Sequence, residues 1–452
     1  MDTFEKEQRK NKIATCVLVG VCLYSASFAF LALASRTRWD TPGNLVVSYL
    51  APGLGIIFCL LALNHRHRRR WALVAFGMTL GLWLTEGVVM PNLDKIKAGI
   101  TARTAARQGV NYDKRSRSEY LRDLQQDGVD AISQPIYSKD VPLYRESVFV
   151  PLSGFSARMT VAGNETGERM VYMADEHGFN NPEGLYENPE VVLVGDSFAQ
   201  GCSVSVSETT TACMRRTIPR ALSLGYAGHG PLMNLATIRE YVEPLRPRTV
   251  FWLHFEGNDL IDLRRETRTS LVNYRNPEFS MDLLNRRKDI EQAMQGSPPA
   301  KSPNQVNLAG RLLNLVKLSR CRLMFGKWIN EAFMPVRSVA LGLELQPELV
   351  DIVCQAADTV RDNGGELVFV YLPDYRRYAI PEQWEEVDSR KELFAQLANR
   401  GVKRMDLCLS FESNSDPLSF FPFHGPGHYN EKGYALLADE LTKIHLGGSK
   451  PE

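Results

Sequence analysis

A short apolar run that ends in a Gly-Asp-Ser turn is the feature that most constrains the fold of this chain. Val191–Val194 is followed directly by Gly195, Asp196 and Ser197, and then by Phe198–Gly201. An apolar, β-branched run that ends at a glycine predicts a strand, a sharp turn and the start of a helix. Such a turn raises the serine hydroxyl above the carboxyl end of a sheet, beside helix N–H groups that can bind an oxyanion.

From residue 190 onward, apolar runs alternate with amphipathic segments. This alternation predicts an α/β fold of three layers, in which helices cover both faces of a parallel sheet. A flavodoxin-like strand order, 2-1-3-4-5, would make the first and third strands neighbours, with the ligand crevice between their carboxyl ends. The predicted strands are Val191–Val194, Ala221–Leu224, Thr249–Phe255, Leu367–Leu372 and Val402–Leu407. The predicted helices include Asn234–Val242, Pro347–Asp362, Glu382–Asn399 and a final helix over residues 431–444.

Three stretches near the N-terminus are almost free of charge: Ile13–Ala34, Leu45–Leu63 and Trp71–Met90. Each has about the 20 residues that a helix needs to cross a bilayer, so we predict three transmembrane helices. Basic residues in the N-terminal tail and in the loop 65–70 place both of these segments in the cytoplasm. The chain is therefore expected to be a multi-pass protein of the inner, cytoplasmic membrane, with its C-terminal domain outside the cytoplasm.

The composition divides the 452 residues into three parts. Residues 1–94 are expected to form the membrane domain, and residues 95–189 a connector with a small accessory β region. Residues 190–446 are expected to form the α/β domain, which carries a helical, basic insertion at 260–345. The net charge of +1 gives no reason to expect a nucleic-acid partner.

The cysteines and one amphipathic segment bear on cofactor chemistry and membrane contact. The eight cysteines show no metal-ligand spacing, and we predict neither a metal nor a cofactor. If one disulfide exists, Cys202 and Cys213 are the first candidates. Within the insertion, Leu308–Phe325 has amphipathic helical spacing with interspersed basic residues. Such a helix suits a membrane surface, an anionic glycan or a solvated cap equally well.

Three later motifs supply groups that could act with Ser197. Gly228 lies in a glycine-rich loop after the second predicted strand, and Asn258 follows the third. His428 lies in Gly427–Tyr434, which opens the last helix. A serine hydroxyl becomes a good nucleophile when a base takes its proton, and histidine titrates near neutral pH. The backbone N–H groups of Ser197 and Gly228 and the Asn258 amide could bind the oxyanion that forms.

In these four blocks the chain resembles the SGNH/GDSL hydrolase superfamily, which is named for its Ser, Gly, Asn and His residues. The resemblance covers roughly residues 190–445, in the family's order. It implies that Ser197 is the nucleophile, that Gly228 and Asn258 contribute to the oxyanion hole, and that His428 is the base. Family members usually have an aspartate three residues before the histidine, which orients the imidazole. This chain has Gly425 at that position.

Three explanations of this departure remain open. A backbone carbonyl could hold His428 in a Ser-His dyad. Another acid could replace the aspartate, and Asp259 and Asp374 are candidates because both follow predicted strands. The domain could also have lost catalysis and only bind its ligand.

The sequence therefore supports two classes of function. The first is a membrane-anchored serine esterase or O-acyltransferase that acts on acylated envelope or exopolysaccharide glycans, as the resemblance to exported superfamily members implies. A transferase with so few spans would need a multi-span membrane partner to carry the acyl donor. The alternative is a non-catalytic binding or structural subunit of a membrane assembly. A lipase or thioesterase is a further option, which rests on the amphipathic Leu308–Phe325 segment.

Overall fold

The computed structural model describes residues 2–34, 57, 67–135, 150–296, 308–316, 318–324 and 337–447. Two units can be distinguished within the chain. The first comprises Met1–Lys97 together with Lys301–Pro335, and the second comprises Ala98–Ala300 together with Val336–Glu452.

Two long helices dominate the first unit. The helix Asp2–Ala34 packs against the helix Arg68–Leu84, and the contact includes the small side chains of Ala14, Ala72 and Ala75. Small side chains at a contact allow the backbones of two helices to approach closely. A large share of the remaining apolar side chains on Arg68–Leu84 is exposed.

Among the described residues, one helix is long and apolar enough to cross a membrane. This continuous helical stretch has 40 residues, Arg68–Arg107, and it begins with the helix Arg68–Leu84 described above. It contains the third predicted span. The first predicted span, Ile13–Ala34, lies within the helix Asp2–Ala34. The second, Leu45–Leu63, lies outside the described residues except for Ile57. One of the three predicted transmembrane helices thus has a candidate in the part of the chain that the structure describes, and the other two stay predictions.

A buried carboxylate connects the two segments of the first unit. Glu86 is 3% exposed and accepts hydrogen bonds from the backbone N–H groups of Arg320 (3.0 Å) and Cys321 (2.8 Å). Both donors lie at the start of a helical stretch, residues 319–324. A buried carboxylate requires such donors because burying a charge without hydrogen bonds is costly.

The second unit is built around a five-stranded parallel sheet. Its strands are β4 (Val191–Val194), β5 (Ala221–Ser223), β6 (Thr249–Phe255), β7 (Glu366–Leu372) and β8 (Lys403–Asp406). They are paired in the order β5-β4-β6-β7-β8, which is the predicted order 2-1-3-4-5. Three strands that precede them in the chain form a separate sheet: β1 (Ala131–Ser133), β2 (Met159–Val161) and β3 (Val171–Met173).

Both faces of the large sheet are buried, as the apolar runs predict. On β4, Val192 and Val194 point into one hydrophobic core, whereas Val191 and Leu193 point into the other. This division follows from the two-residue period of a strand. Helices complete both cores, so the unit has the three layers expected of an α/β fold. The predicted α/β class is therefore confirmed for this part of the chain.

The helices of the second unit agree with most of the predicted segments. The described ones are Arg117–Gln126, Ser197–Gln200, Thr210–Arg215, Pro231–Thr237, Glu243–Leu245, Asp259–Glu266, Arg287–Gly296, Arg337–Gly342, Gln346–Asp362, Tyr375–Ala379, Pro381–Glu385, Arg390–Asn399, Leu407–Glu412 and Glu431–His445. The predicted segment Glu382–Asn399 is divided in two. Between its parts, Asp388 accepts hydrogen bonds from the Arg390 N–H (3.0 Å) and the Arg377 guanidinium (2.8 Å).

The accessory β region forms the small sheet, and it belongs to the same unit as the large one. Strands β2 and β3 pair antiparallel and form a hairpin, and β1 pairs parallel with β2. The hairpin turn contains Gly163–Gly167, and Ala162 and Met170 close it through a backbone hydrogen bond of 2.9 Å.

Two other expectations are corrected by the structure. The Leu308–Phe325 segment is not one continuous helix: a helix covers Leu308–Val316, and Leu318 has a φ of +46° before helical residues 319–324. Cys202 and Cys213 are both free thiols, so the suggested disulfide is wrong.

Candidate active site

The Gly-Asp-Ser turn places Ser197 at the carboxyl end of β4, on the first residue of the helix Ser197–Gln200. Gly195 has a φ of +155°, and an added Cβ would lie 2.9 Å from the Leu253 carbonyl oxygen. The Asp196 carboxylate caps the helix by accepting a hydrogen bond from the Phe198 N–H at 2.9 Å. Burial, together with the nearby Asp259, raises the pKa of Asp196 to about 7. Asp196 thus shapes the turn that presents Ser197.

His428 reaches Ser197 from the C-terminal end of the chain. Its Nε2 lies 2.7 Å from the Ser197 Oγ. The following helix, Glu431–His445, begins at Asn430, whose side chain accepts hydrogen bonds from the Lys432 and Gly433 N–H groups. The helix start therefore fixes the loop that carries the imidazole. Sequence motifs that are 231 residues apart meet at hydrogen-bond distance.

The acid beside His428 is Glu165, which no motif in the sequence predicts. Glu165 Oε1 lies 3.0 Å from the His428 Nδ1, and Glu165 Oε2 accepts a hydrogen bond from the His428 backbone N–H at 2.7 Å. Glu165 lies in the β2–β3 turn of the accessory sheet, far from the family's usual position, which Gly425 occupies here. No spacing in the sequence marks this glutamate as a partner of His428.

The two aspartates proposed as substitutes have other partners. Asp259 lies 3.0 Å from the Nδ1 of the buried His254. Asp374 pairs with Arg376 and caps the helix Tyr375–Ala379. Neither is the acid that contacts the imidazole of His428.

The charges of Glu165 and His428 stabilise each other. Burial alone would lower the pKa of His428, but the Glu165 carboxylate raises it above its usual value. Burial alone would raise the pKa of Glu165, but the hydrogen bonds and the charge of His428 lower it. Because an ionised carboxylate can only accept hydrogen bonds, Nδ1 of a neutral His428 carries the proton. Its Nε2 is then free to accept the proton of the Ser197 hydroxyl.

Gly228 lies in the loop after β5. Hydrogen bonds hold this loop to the Gly-Asp-Ser turn and to the helix Ser197–Gln200. Tyr226 N–H donates to the Gly195 carbonyl oxygen (3.2 Å), and Ala227 N–H donates to Gln200 Oε1 (3.0 Å). Gly228 itself has a φ of +90°, a backbone conformation that favours glycine. The loop is thus held next to the turn that carries the candidate nucleophile.

Asn258 follows β6, the other neighbour of β4. One of its amide N–H groups donates to Asp262 at 2.9 Å, which leaves the second available to a ligand. Asn258 opens the helix Asp259–Glu266, and Glu266 at the far end of that helix accepts hydrogen bonds from Gly230 N–H (2.7 Å) and Leu232 N–H (2.8 Å). One helix therefore ties the Asn258 loop to the Gly228 loop.

The structure joins Ser197, His428 and Glu165 directly and places Gly228 and Asn258 in the two loops that flank them. Among the described residues, neither Gly228 nor Asn258 hydrogen-bonds Ser197. Donors that serve an oxyanion need no such bond before substrate arrives. The side chains of His428 and Glu165 are 25% and 32% exposed, so solvent and ligands reach the cluster. Chemically, the arrangement can activate a serine hydroxyl for attack on an ester.

No protein-family model and no curated protein matches the chain. It does resemble solved structures over a little more than half of its length. They include a G-D-S-L family protein from Desulfitobacterium hafniense DCB-2 (11% identity, 57% of this chain and 99% of that chain, TM-score 0.31) and a lipase/acylhydrolase from Enterococcus faecalis (14% identity, 58% and 98%, TM-score 0.32). An α/β hydrolase named LAE5, from the metagenome of Lake Arreo in Spain, is a third (13% identity, 58% and 98%, TM-score 0.31).

Structural neighbours with identities and TM-scores this low do not indicate the activity of the chain. The strand order and the site geometry of the chain itself are more specific. The sheet has the order 2-1-3-4-5, and the four sequence blocks lie at the carboxyl ends of its strands or at the start of its last helix. In this strand order and in these four blocks, the chain resembles an SGNH/GDSL hydrolase.

Proposed function

We propose that the chain is a serine esterase or O-acyltransferase whose active site is formed by Ser197, His428 and Glu165. The observation that carries this proposal is the 2.7 Å separation of Ser197 Oγ and His428 Nε2, with Glu165 bound to the opposite imidazole nitrogen. A nucleophile, a base and an orienting acid in this order are the elements of a catalytic triad.

The reaction follows from these positions. His428 Nε2 takes the hydroxyl proton as Ser197 Oγ attacks the ester carbonyl carbon. The tetrahedral oxyanion is bound by the N–H groups of Ser197 and Gly228 and by the Asn258 amide. When the carbon–oxygen bond to the alcohol breaks, His428 returns the proton to the leaving oxygen. Water or a sugar hydroxyl then attacks the acyl-Ser197 ester, and the acyl group leaves as an acid or as a new ester.

The proposed substrate class follows from the expected location of the active site and from the resemblance to exported members of the superfamily. The candidate membrane helix Arg68–Arg107 precedes the α/β unit, and basic residues near the N-terminus favour a cytoplasmic tail. We place the site outside the cytoplasm, on the inner membrane, where acylated envelope or exopolysaccharide glycans are available. Transfer rather than hydrolysis would require a multi-span partner that delivers the acyl donor.

The sequence also allowed a non-catalytic binding subunit, because the usual aspartate is absent at Gly425. That argument loses its basis once Glu165 lies beside His428. No other observation on the described residues favours this alternative over catalysis.

Turnover of esters that differ in acyl length tests the proposed function. The full-length protein in detergent should hydrolyse p-nitrophenyl acetate and release acetate from an O-acetylated polysaccharide. It should act poorly on p-nitrophenyl palmitate. A preference for the palmitate would identify a lipase or thioesterase and contradict the glycan proposal. No turnover of any ester or transfer to any glycan would support the binding subunit.

The pH dependence of kcat/KM should report the protonation of His428. The imidazole must be neutral to accept the Ser197 proton, so activity falls as pH drops below its pKa. Because Glu165 raises this pKa above its usual value, we expect the half-maximal point of the acid limb above about pH 6.5. A limb centred near pH 5 would contradict the pairing of His428 with an ionised Glu165. The profile is measured with a neutral ester under conditions where the protein stays folded.

A further inference from the structure

The turn that carries Glu165 is covered by a segment of the connector. We call residues 163–167 the Glu165 turn and residues 110–115 the connector segment. The Asp113 N–H donates to the Gly167 carbonyl oxygen (2.9 Å), and the Asn164 side-chain amide donates to the Asp113 carbonyl oxygen (3.0 Å). The Tyr112 hydroxyl donates to the Asn164 carbonyl oxygen (3.2 Å). Three hydrogen bonds therefore join the connector segment to residues on both sides of Glu165.

The two segments also approach closely at a glycine. Gly167 has a φ of +116°, and an added Cβ would lie 2.8 Å from the Asn111 carbonyl oxygen and 3.0 Å from Val110 Cγ1. A side chain at this position would push the connector segment away from the turn, because real Cβ atoms do not approach backbone oxygens so closely. Gly167 is thus the point at which the connector can lie flat on the Glu165 turn.

The opposite side of the turn is attached to the segment that follows the Ser197 helix. Thr166 Oγ1 donates to the Ser203 carbonyl oxygen at 2.8 Å. Asn164 further stiffens the turn from within, since its side-chain oxygen accepts the Gly167 N–H at 2.9 Å. Glu165 is therefore held between two supports, and only one of them belongs to the α/β core.

We propose that the connector segment is a positioning element of the active site: it holds the Glu165 turn so that the carboxylate stays on the Nδ1 and backbone N–H of His428. The segment follows the helix Leu93–Arg107 directly in the chain. The part of the chain that links the candidate membrane helix to the α/β unit is then required for full turnover. The expected effect on turnover rests on the proposed function, whereas the expected effect on the protonation of His428 does not.

The test combines Gly167→Ala with Glu165→Gln in full-length protein in detergent. Gly167→Ala should lower kcat by about 10- to 100-fold and change KM little, because a small displacement of an orienting group acts on the reacting geometry. In the Glu165→Gln background, the same change should cost less than about twofold, since residues that act through one contact are not additive. Gly128→Ala is the matched control: Gly128 has a φ of +81°, and no atom lies within 4 Å of an added Cβ.

A second readout does not depend on activity. Titration of the histidine ring signals by NMR gives the pKa of His428, which faces two acids, Glu165 from the turn and Asp196 from the β4 loop. Gly167→Ala should lower this pKa, and Gly128→Ala should leave it unchanged. If wild type turns over no ester but the pKa moves as expected, the proposed function fails and the positioning role stands.

Two results would overturn the inference. One is an unchanged His428 pKa in Gly167→Ala. The other is a loss of kcat that is equally large with and without the Glu165 carboxylate, which indicates general damage to the fold. Should Gly167→Ala fail to fold, Tyr112→Phe removes one of the three hydrogen bonds at no steric cost. It should shift the pKa and kcat in the same directions by smaller amounts.

Discussion

Ser197→Ala is expected to reduce kcat for ester hydrolysis by at least about 10⁴-fold, because no other group would form the acyl intermediate. Among the described residues, the Ser197 hydroxyl is the nucleophile that lies at hydrogen-bond distance from the His428 Nε2. KM should change little, since the substitution leaves the flanking loops intact. Steady-state kinetics with p-nitrophenyl acetate measure the effect.

The double variant Ser197→Ala/His428→Ala provides the control for this prediction. Residues that act as one unit are not additive, so the double variant should be about as inactive as Ser197→Ala alone. Ser207→Ala, at an exposed serine outside the site, should retain full activity. If Ser197→Ala keeps more than about a tenth of wild-type kcat, the covalent mechanism is wrong.

Glu165→Gln is expected to reduce kcat by up to about 10⁴-fold, as loss of the orienting acid does in a serine triad. A glutamine amide is neutral and can present either its N–H₂ or its carbonyl oxygen to Nδ1. It therefore no longer secures the tautomer in which Nε2 accepts the Ser197 proton. The measurement is kcat across a range of pH, with circular dichroism to establish that the variant folds.

The same variant should move the acid limb of the pH profile to lower pH. The Glu165 carboxylate is the main cause that raises the His428 pKa, whereas burial lowers it. Without the carboxylate, burial dominates and the pKa falls. Glu168→Gln is the control, because Glu168 lies in the same hairpin but is exposed. An unshifted limb in Glu165→Gln would show that another group sets the protonation of His428.

The parallel sheet and most of the site could be predicted because both depend on local patterns. Val191–Val194 and Thr249–Phe255 form strands at the predicted boundaries. Their lengths of 4 and 7 residues and the turn residues that follow them favour a buried strand over a helix. Once the strand order is known, the residues after β4, β5 and β6 must meet at one edge. His428 could be predicted as a site residue because its motif lies at the start of the last helix.

Glu165 could not be predicted because its role depends on a tertiary contact across 263 residues. A glutamate in a polar turn has the same local pattern whether or not it meets a histidine. The separation of Glu382–Asn399 into two helices has a similar origin. Asp388 is engaged by Arg377, a residue on another helix, and its side chain also accepts the Arg390 N–H. Propensity alone does not reveal such competition.

The N-terminal region illustrates a different limit. Hydropathy predicts three spans, and the described residues contain one helix with the required length and composition. The second predicted span lies outside the described residues except for Ile57. Glu86 in that helix is buried against the backbone of residues 320 and 321. The sequence could identify an acidic residue near the end of an apolar stretch, but its partners come from a segment more than 230 residues away.

The most direct test of the account is covalent labelling with a fluorophosphonate, followed by peptide mass spectrometry. Folded full-length protein should acquire one phosphonyl group on Ser197, and the rate should decrease as His428 becomes protonated at low pH. Ser207→Ala should label like wild type, and Ser197→Ala should not label. A folded wild-type protein that remains unlabelled, or that is labelled at a different serine, would contradict an activated Ser197.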